Sequence, residues 1–210
     1  MINDKGGETL LTTTYFGPVE WYRQLYRSDR VLLEACESFT KQTYRNRCVI
    51  ATANGPQALT VPVEHGGSRL IRDIRISNHG SWRRVHWNAL QSAYSESPFF
   101  EYYADDLRPF FEQDYEFLYD FNFEIMQKVC ELLDIHPHVE HTTTFNPSPS
   151  TLRSALPLCA AKNSQLSTLN SQLSTLTPYW QVFAHKFGFQ PNLSILDLLF
   201  CMGPEGIFWL

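Results

Sequence analysis

The hydrophobic pattern of this chain changes once, near Ser81, and that change restricts the fold more than any other feature. Before Ser81, short apolar runs alternate with polar residues and end at glycine, proline or asparagine, which is typical of β-strands. After Ser81, apolar residues recur every three or four positions, which is typical of amphipathic helices. Strands followed by helices predict an α+β or mixed α/β domain with an N-terminal mixed sheet and aromatic-rich helices.

The strand half contains a predicted hairpin. The runs NRCVIAT and QALTVPVEH flank Ala53-Asn54-Gly55-Pro56, and Asn-Gly is a strong turn signal. Because Pro62 interrupts the second run, we expect that strand at a sheet edge. LLTTT, RVLLEACESF and LIRDIRIS are also interpreted as strands, with an aromatic helix after Gly17-Pro18.

Three helices are expected after Ser81. The first presents Trp82, His86 and Leu90 on one apolar face. An aromatic segment follows Ser97-Pro98, and the third helix, LYDFNFEIMQKVCELLDI, ends before His136-Pro137. Near the C-terminus, LSILDLLFCM predicts a short apolar helix that Gly203 ends.

We interpret residues 1–210 as one domain with a frayed N-terminus at 1–11 and a low-complexity loop at 142–178. Within that loop, NSQLSTL occurs as a tandem repeat at residues 163–176. Its leucine spacing resembles a coiled-coil seam, but two heptads are too few and Pro178 follows at once. Three copies of the heptanucleotide AACTCTC encode the same peptide, so we interpret the repeat as replication slippage into a tolerant loop.

Charge and composition restrict the partners. A net charge of −5 argues against wholesale binding to nucleic acid or anionic lipid. The N-terminus MINDKGGETLL lacks the features of a signal peptide, and the most apolar run, LSILDLLFCMG, is too short to span a bilayer. Five scattered cysteines without a CxxC pair are typical of reduced thiols. We therefore expect a cytoplasmic protein without membrane insertion or a structural zinc site.

The segment KQTYRNRCVI offers candidate substrate-binding residues. Strand alternation would place Tyr44 and Asn46 on one face and Arg45 and Arg47 on the other. A guanidinium group binds carboxylate or phosphate through two parallel hydrogen bonds. The candidates in this segment are Lys41, Tyr44, Asn46 and Arg47. The alternative is a strand start whose basic face is solvated.

Two further positions offer candidate catalytic groups. His86 lies one turn after Trp82 on an apolar helix face, where burial can tune the pKa of a general base; the alternative is a core histidine with satisfied hydrogen bonds. Asp197 lies in an otherwise apolar helix start, so we expect it to cap, pair or act in catalysis. Its structural alternative is a capping box with Ser194.

The remaining acidic cluster and the motif search are less informative. Asp105 and Asp106 are either metal ligands or part of a solvated helix face, and the second interpretation is favoured. The chain has no Walker, GxGxxG, HExxH or GxSxG motif, so no cofactor and no metal site is assigned.

Taken in order, the segments resemble the WbqC-like family. The resemblance covers roughly residues 13–140 and 178–206 and rests on YFGPVEWY, LLEACESFTKQTYRNRCVI, ALTVPVEHG, IRDIRISN, W-x3-H, Y-x3-SPFFEYY, FLYDFN and YWQVFAHKFGFQPNLSILDLLFCMGPEG. It implies functional positions at Lys41, Asn46, Arg47, Trp82, His86, Tyr94, Gln181, Ser194 and Asp197. The chain departs from the family pattern at Cys201, where relatives tend to have asparagine, and at Thr151-Leu152-Arg153, where they tend to have Asp-x-Arg.

The family is named from clusters that build bacterial surface polysaccharide, and the resemblance implies two hypotheses. In the first, a cytoplasmic enzyme transfers an acyl or aminoacyl group to an amino-sugar nucleotide during lipopolysaccharide O-antigen or capsule assembly. His86, oriented by Asp197 or Tyr94, would be the base. Arg47 or Lys41 would bind phosphates or the oxyanion, and Asn46 and Gln181 the polar substrate groups.

In the second hypothesis, a non-catalytic protein binds a glycan precursor or organises partner enzymes. Geometry separates the two hypotheses. Convergence of Arg47, His86 and Asp197 on one pocket favours the enzyme, and scatter favours the binding protein.

Overall fold

The computed structural model describes residues 7–64, 66–145 and 177–210. The tandem repeat, Thr151-Leu152-Arg153 and most of the predicted low-complexity loop lie outside these residues. Within them, the strands are β1 (Glu8–Thr12), β2 (Arg30–Glu34), β3 (Arg47–Thr52), β4 (Gly55–Thr60) and β5 (Val139–His141). The α-helices are α1 (Val19–Arg27), α2 (Trp82–Tyr94), α3 (Phe100–Leu107), α4 (Leu118–Leu132), α5 (Ala184–Phe187) and α6 (Ile195–Met202).

A small parallel sheet has the strand order β1-β2-β5. Leu11 pairs with Leu33, and Leu33 pairs with His141, so the three strands end at one common edge. Helix α1 connects β1 to β2 and buries Trp21, Tyr22 and Leu25. β1 begins at Glu8, inside the segment predicted to be frayed, because its backbone pairs with β2 from that residue onward.

The predicted hairpin is confirmed. β3 and β4 pair antiparallel, with Thr52 opposite Gly55, so Ala53 and Asn54 form the connection. Gly55 has a φ of 102°, a conformation that residues with a side chain rarely adopt. The hairpin forms its own two-stranded sheet, separate from the parallel one.

The strand predicted for LIRDIRIS is wrong. Residues Ile71–Asp73 form a turn of 3₁₀ helix, and the bridges that flank it are isolated: Ser38 with Leu70, Val63 with Ile76, and Arg75 with Phe117. The isoleucines are buried, as an alternating strand would require, but their amides do not pair with one neighbouring strand. Ile74 N donates to Ile71 O at 3.3 Å within the turn, whereas Ile71 N donates to Glu37 O at 2.9 Å and Ile76 N to Glu116 O at 2.9 Å. The pattern therefore identified the buried side chains and not the backbone conformation.

The three predicted helices are confirmed as α2, α3 and α4, and α3 runs into a 3₁₀ turn at Arg108–Phe111. The predicted C-terminal helix is confirmed as α6, whose residues Ile195 to Cys201 are all buried. Gly203 follows with a φ of 57°, and a Cβ there would lie 2.6 Å from the Phe99 ring, so both its conformation and its surroundings require glycine. A last 3₁₀ stretch covers Gly203–Trp209.

The α+β class is confirmed, although the strands lie in two groups and not in one mixed sheet. Backbone hydrogen bonds join α6 to the start of α1: Val19 N donates to Leu193 O at 3.0 Å, and Ile195 N to Gly17 O at 2.8 Å. Across the described ranges, no helix has the length and apolar character that crossing a bilayer requires.

Candidate functional site

Asp197 is the centre of a buried hydrogen-bond network. Its side chain is fully buried, and Oδ1 accepts from the Tyr94 hydroxyl at 2.8 Å. Oδ2 accepts from the Tyr179 hydroxyl at 2.7 Å and from Gln181 Nε2 at 2.9 Å. Burial raises the pKa of Asp197, and the three donors partly oppose that rise. The predicted pairing of this carboxylate is therefore confirmed.

The network extends from Asp197 to the backbone. The Tyr94 hydroxyl accepts from Ala51 N at 3.1 Å. The Gln181 amide donates to Gln190 O at 2.9 Å and accepts from Gln190 N at 2.8 Å. The carboxylate thereby joins α2, β3, α6 and the segment before α5.

The predicted capping box is confirmed only for Ser194. Ser194 Oγ accepts from Leu196 N at 3.3 Å and donates to Phe16 O at 2.8 Å, so it is the N-cap of α6. Asp197 is turned away from Ser194 toward Tyr94, Tyr179 and Gln181, and the prediction that it completes the box is wrong.

His86 is buried between α2 and the hairpin. Its Nδ1 lies 2.9 Å from the Tyr15 hydroxyl, and the carbonyl of Thr60 accepts a hydrogen bond from the ring. Trp82 packs edge-on at 5.2 Å and bonds through Nε1 to Ser77 O at 3.1 Å. Burial lowers the pKa of His86 to about 4, against the opposing effect of the Thr60 carbonyl. This is the geometry expected of a neutral histidine with satisfied hydrogen bonds.

The predicted orientation of His86 by Asp197 or Tyr94 is wrong. The hydrogen-bond partners of His86 are Tyr15 and Thr60, and those of Asp197 lie on other elements. Arg47, in contrast, does lie near His86, because Arg47 Nε donates to Thr60 Oγ1 at 3.0 Å. Arg47 and His86 therefore meet at Thr60. Tyr94 and Gln181 meet separately, at Asp197.

The alternation predicted for residues 44–47 begins only at Arg47, where β3 starts. Tyr44, Arg45 and Asn46 are all buried in the preceding turn. Arg45 forms a two-pronged ion pair with Glu37, with Nε–Oε1 at 2.7 Å and Nη2–Oε2 at 2.5 Å. A solvated basic face is therefore wrong for Arg45, which reaches back to a carboxylate that Thr12 also contacts.

The side-chain amide of Asn46 forms a hydrogen bond through its nitrogen but not through its oxygen. Its Nδ2 donates to Val61 O at 3.0 Å, whereas Oδ1 has no hydrogen-bond partner within the described ranges. Asn122 behaves in the same way: Nδ2 donates to Arg45 O at 2.8 Å and Oδ1 is unpaired there. Because only an NH₂ group can donate to a carbonyl, these contacts fix both amide orientations.

Lys41 lines the larger of two overlapping surface cavities, of about 570 and 540 Å³. We call the pair the groove; it lies between residues 38–41 and residues 64 and 66–75. Both cavities are lined by Glu64, Gly66, Gly67, Ser68 and Ile74. The remaining lining residues are Ser38, Phe39, Lys41, Val63, Arg69, Asp73, Arg75 and Phe117. Arg47, His86 and Asp197 line neither cavity: Arg47 and His86 meet at Thr60, and Asp197 lies apart from them with Tyr94, Tyr179 and Gln181.

Asp105 and Asp106 are exposed on α3, as the solvated-face interpretation predicted. Within residues 7–64, 66–145 and 177–210, no group of three or more His, Cys, Asp or Glu side chains is placed to hold a metal ion. Cys201, the family departure, is buried, and burial raises the pKa of its thiol.

Three residues of these clusters were missed from the sequence. Tyr179 pairs with Asp197, Glu37 pairs with Arg45, and Glu34 is a buried carboxylate at the end of β2. Two of them could have been found from the sequence. Glu34 and Glu37 are acidic residues within a mostly apolar predicted strand, just as Asp197 is within its helix. The same desolvation argument applied to Asp197 would have selected both.

Comparison with known proteins agrees with the motif pattern. The model of the WbqC-like protein family matches residues 13–172. An uncharacterized protein of Mycobacterium tuberculosis, Rv1507c, is 29% identical over 188 residues, which cover 80% of this chain and 81% of that protein. No solved structure gives a significant match.

Proposed function

Because the chain belongs to the WbqC-like protein family, we propose that it is a cytoplasmic protein of cell-envelope glycan biosynthesis, such as O-antigen or capsule assembly. It binds an amino-sugar nucleotide in the groove beside Lys41. The observation that carries this proposal is the lining of the groove, where cations and aromatic rings surround a glycine-rich turn. The separation of Asp197 from Arg47 and His86, and the absence of all three from the lining of the groove, support binding over catalysis.

The cations suit a diphosphate. Lys41, Arg69 and Arg75 line the groove against the carboxylates Glu64 and Asp73. Gly66 and Gly67 leave open space where a side chain would stand, so a phosphate can approach the backbone N–H groups of this turn. Because Arg75 is paired with Glu116, we assign the diphosphate to Lys41 and Arg69.

The aromatic residues suit a nucleobase or a sugar ring. Phe39 and Phe117 are half-buried at the two sides of the groove. The Arg75 guanidinium lies 4.9 Å from the centre of the Phe117 ring, which orients both groups. The larger cavity, at about 570 Å³, lies within the roughly 300–1,000 Å³ of ligand pockets.

The buried Glu37–Arg45 pair supports this wall of the groove. The pair joins the two ends of the segment whose residues Ser38, Phe39 and Lys41 face the cavity. Ile71 N donates to Glu37 O at 2.9 Å, and Phe39 N to Arg69 O at 2.7 Å, so the segment is also bonded to the opposite wall. A wall held in this way loses little conformational entropy on binding.

Calorimetric titration with uridine diphosphate glucosamine and with uridine diphosphate tests the proposal. We expect both to bind, and Lys41→Ala or Arg69→Ala to weaken each at least tenfold. Lys128→Ala is the matched control, because Lys128 pairs with Glu131 on α4, outside the groove, and should leave affinity unchanged. Absence of binding, or equal loss in the control, would overturn the proposal.

Transferase activity is the second candidate. It is favoured by one observation: Arg47 and His86 both contact Thr60, so a cation and a neutral imidazole lie at the same end of β4. In this reaction the substrate amine attacks the carbonyl carbon of an acyl or aminoacyl donor. The new C–N bond replaces the bond to the donor's carrier, and the amine proton passes through the imidazole to the departing carrier. Arg47 stabilises the oxyanion.

The other predicted residues have supporting roles in this second candidate. Lys41, Tyr44 and Asn46 shape the substrate side, and Trp82 packs on His86. Tyr94, Gln181, Ser194 and Asp197 hold α2 and α6 in place as positioning residues, with no direct contact to the imidazole.

Mass spectrometry of the sugar nucleotide after incubation with acyl and aminoacyl donors tests transfer. If transfer occurs, His86→Gln should remove the product with little change in melting temperature, and His138→Gln, at an exposed histidine, should not. A His86→Gln protein with normal turnover and a much lower melting temperature would instead mark His86 as a core residue.

A further inference from the structure

Glu34 is the last residue of β2, the central strand of the parallel sheet, and only one of its two carboxylate oxygens accepts hydrogen bonds. Oε1 accepts from Cys36 N at 2.8 Å and from Thr142 Oγ1 at 2.7 Å. Thr142 Oγ1 in turn accepts from Ala35 N at 3.0 Å. These contacts fix the carboxylate between the end of β2 and the residue after β5.

The second carboxylate oxygen, Oε2, accepts no hydrogen bond from the described residues. Glu34 is only 2% exposed, and its Oε2 is buried without a hydrogen-bond partner among the described residues. Folding normally pairs buried polar atoms, because an unpaired acceptor loses its bonds to water and gains nothing. A carboxylate oxygen can only accept when ionised, so the missing partner is a donor.

The neighbouring donors are already engaged. The Tyr119 hydroxyl lies 2.7 Å from His141 Nδ1 and 3.3 Å from Leu33 O. The Arg72 guanidinium lies 3.7 Å from Cys36 Sγ and pairs with Asp73. Among the described residues, none donates a hydrogen bond to Glu34 Oε2.

The position of Glu34 favours a ligand as the donor. Ligands of α/β sheets bind outside the carboxyl ends of parallel strands, and Glu34 is the last residue of β2. Two residues that contact its carboxylate, Cys36 and Thr142, are half-exposed, so this end of the strand is near the surface. We propose that Glu34 binds a primary amine of the ligand through Oε2, as a charge-assisted hydrogen bond from an ammonium group.

The inference assigns the rest of such a ligand to the groove, whose lining begins at Ser38. Ser38 lines the groove and is four residues beyond Glu34, so their Cα atoms are at most about 14 Å apart. In a 2-amino-sugar nucleotide the amine is on C2, next to the anomeric carbon that carries the diphosphate, so the two groups must bind close together. The inference rests on the proposed function for this choice of ligand, and it adds that the free amine, and not its acylated form, is recognised.

Chemical-shift titration of the ¹⁵N-labelled full chain with D-glucosamine tests the inference without requiring the nucleotide. We expect saturable shifts of the Ala35, Cys36 and Thr142 amides, which border the Glu34 carboxylate. N-acetylglucosamine, in which the amine is acylated, should leave these amides unshifted. Glu34→Gln should reduce the glucosamine shifts at least tenfold at equal concentration, and Glu131→Gln, on the exposed face of α4, should not.

The same variants separate this inference from the groove. Glu34→Gln should still bind uridine diphosphate, whereas Lys41→Ala should still show the glucosamine shifts. Wild-type protein that shows no saturable shifts at Ala35, Cys36 and Thr142, or the same shifts with both sugars, would overturn the amine site. Unchanged shifts in Glu34→Gln would overturn it as well. Failure of uridine diphosphate to bind would overturn the groove alone.

Discussion

Asp197 and Glu34 are both buried carboxylates, at 0% and 2% exposure, but their surroundings differ. Asp197 receives three side-chain donors that are divided between its two oxygens. Glu34 receives two donors, and both bind the same oxygen. Burial alone therefore does not distinguish the roles of the two groups; the distribution of donors does.

The difference separates a structural network from a candidate binding group. The donors of Asp197 come from α2 and from the segment 179–181, so the carboxylate holds three parts of the chain together. Glu34 Oε2, Asn46 Oδ1 and Asn122 Oδ1 are acceptors without partners in the described part of the chain. Satisfied buried networks stabilise one conformation, whereas unpaired buried acceptors are a cost that a ligand can remove.

The largest expected effect is that of Asp197→Ala. The change leaves Tyr94, Tyr179 and Gln181 with buried donors and no acceptor, so we expect the free energy of unfolding to fall by about 3 to 5 kcal/mol. Urea denaturation measures it. Asp197→Asn is the matched control, because its amide oxygen retains an acceptor and should lose less. A loss below about 1 kcal/mol for Asp197→Ala would show that the network does not hold the helices together.

Acid should destabilise the protein through His86. Its folded-state pKa is lowered to about 4 from the usual 6.5, so folding favours the neutral ring. That contribution is fully present above pH 6.5 and is lost as the pH falls through the folded value. We expect the free energy of unfolding of the wild type, minus that of His86→Gln, to decrease by roughly 2 to 3 kcal/mol between pH 7 and pH 4. Parallel stability curves for the two proteins would contradict this expectation.

Asp197 should show the opposite pH dependence. Its pKa is raised by burial, so the folded state binds the proton more tightly than the unfolded state. The stabilisation is complete below the ordinary pKa of an aspartate and is lost as the pH rises through the raised value. Stability of the wild type minus that of Asp197→Asn should therefore decrease with rising pH, and an increase would contradict the direction of the shift.

Glu34→Gln should have the smallest effect on stability. The amide keeps an oxygen for Cys36 N and Thr142 Oγ1 and replaces the unpaired oxygen with an NH₂ group. We expect the free energy of unfolding to change by less than about 1 kcal/mol, against the larger loss in Asp197→Ala. Thermal and urea denaturation test this contrast. A loss as large as that of Asp197→Ala would mean that Glu34, too, is part of the structural network.

The sequence predicted the elements whose signals are local. The Asn-Gly turn identified the hairpin, the three-to-four spacing identified α2 and α4, and Ser194 identified the start of α6. LIRDIRIS misled because buried isoleucines also suit a 3₁₀ turn held by Leu70 and Ile71 carbonyls.

Local sequence patterns could not predict which side chains meet in the site. Desolvation predicted that Asp197 would pair, but its partner Tyr94 lies 103 residues away in the chain. The pairing of His86 with Tyr15 spans 71 residues, and nothing in either local sequence indicates it. The Glu37–Arg45 pair is only eight residues apart, and it was missed because strand alternation was extended into a turn.

A crystal structure of the protein with uridine diphosphate glucosamine tests the central contrast most directly. The predicted result places the diphosphate beside Lys41 and the sugar amine within hydrogen-bond distance of Glu34 Oε2, with the Asp197 network unchanged. A ligand bound at Asp197, or one whose amine is remote from Glu34, would contradict the assignment of binding to the unpaired carboxylate and of structure to the paired one.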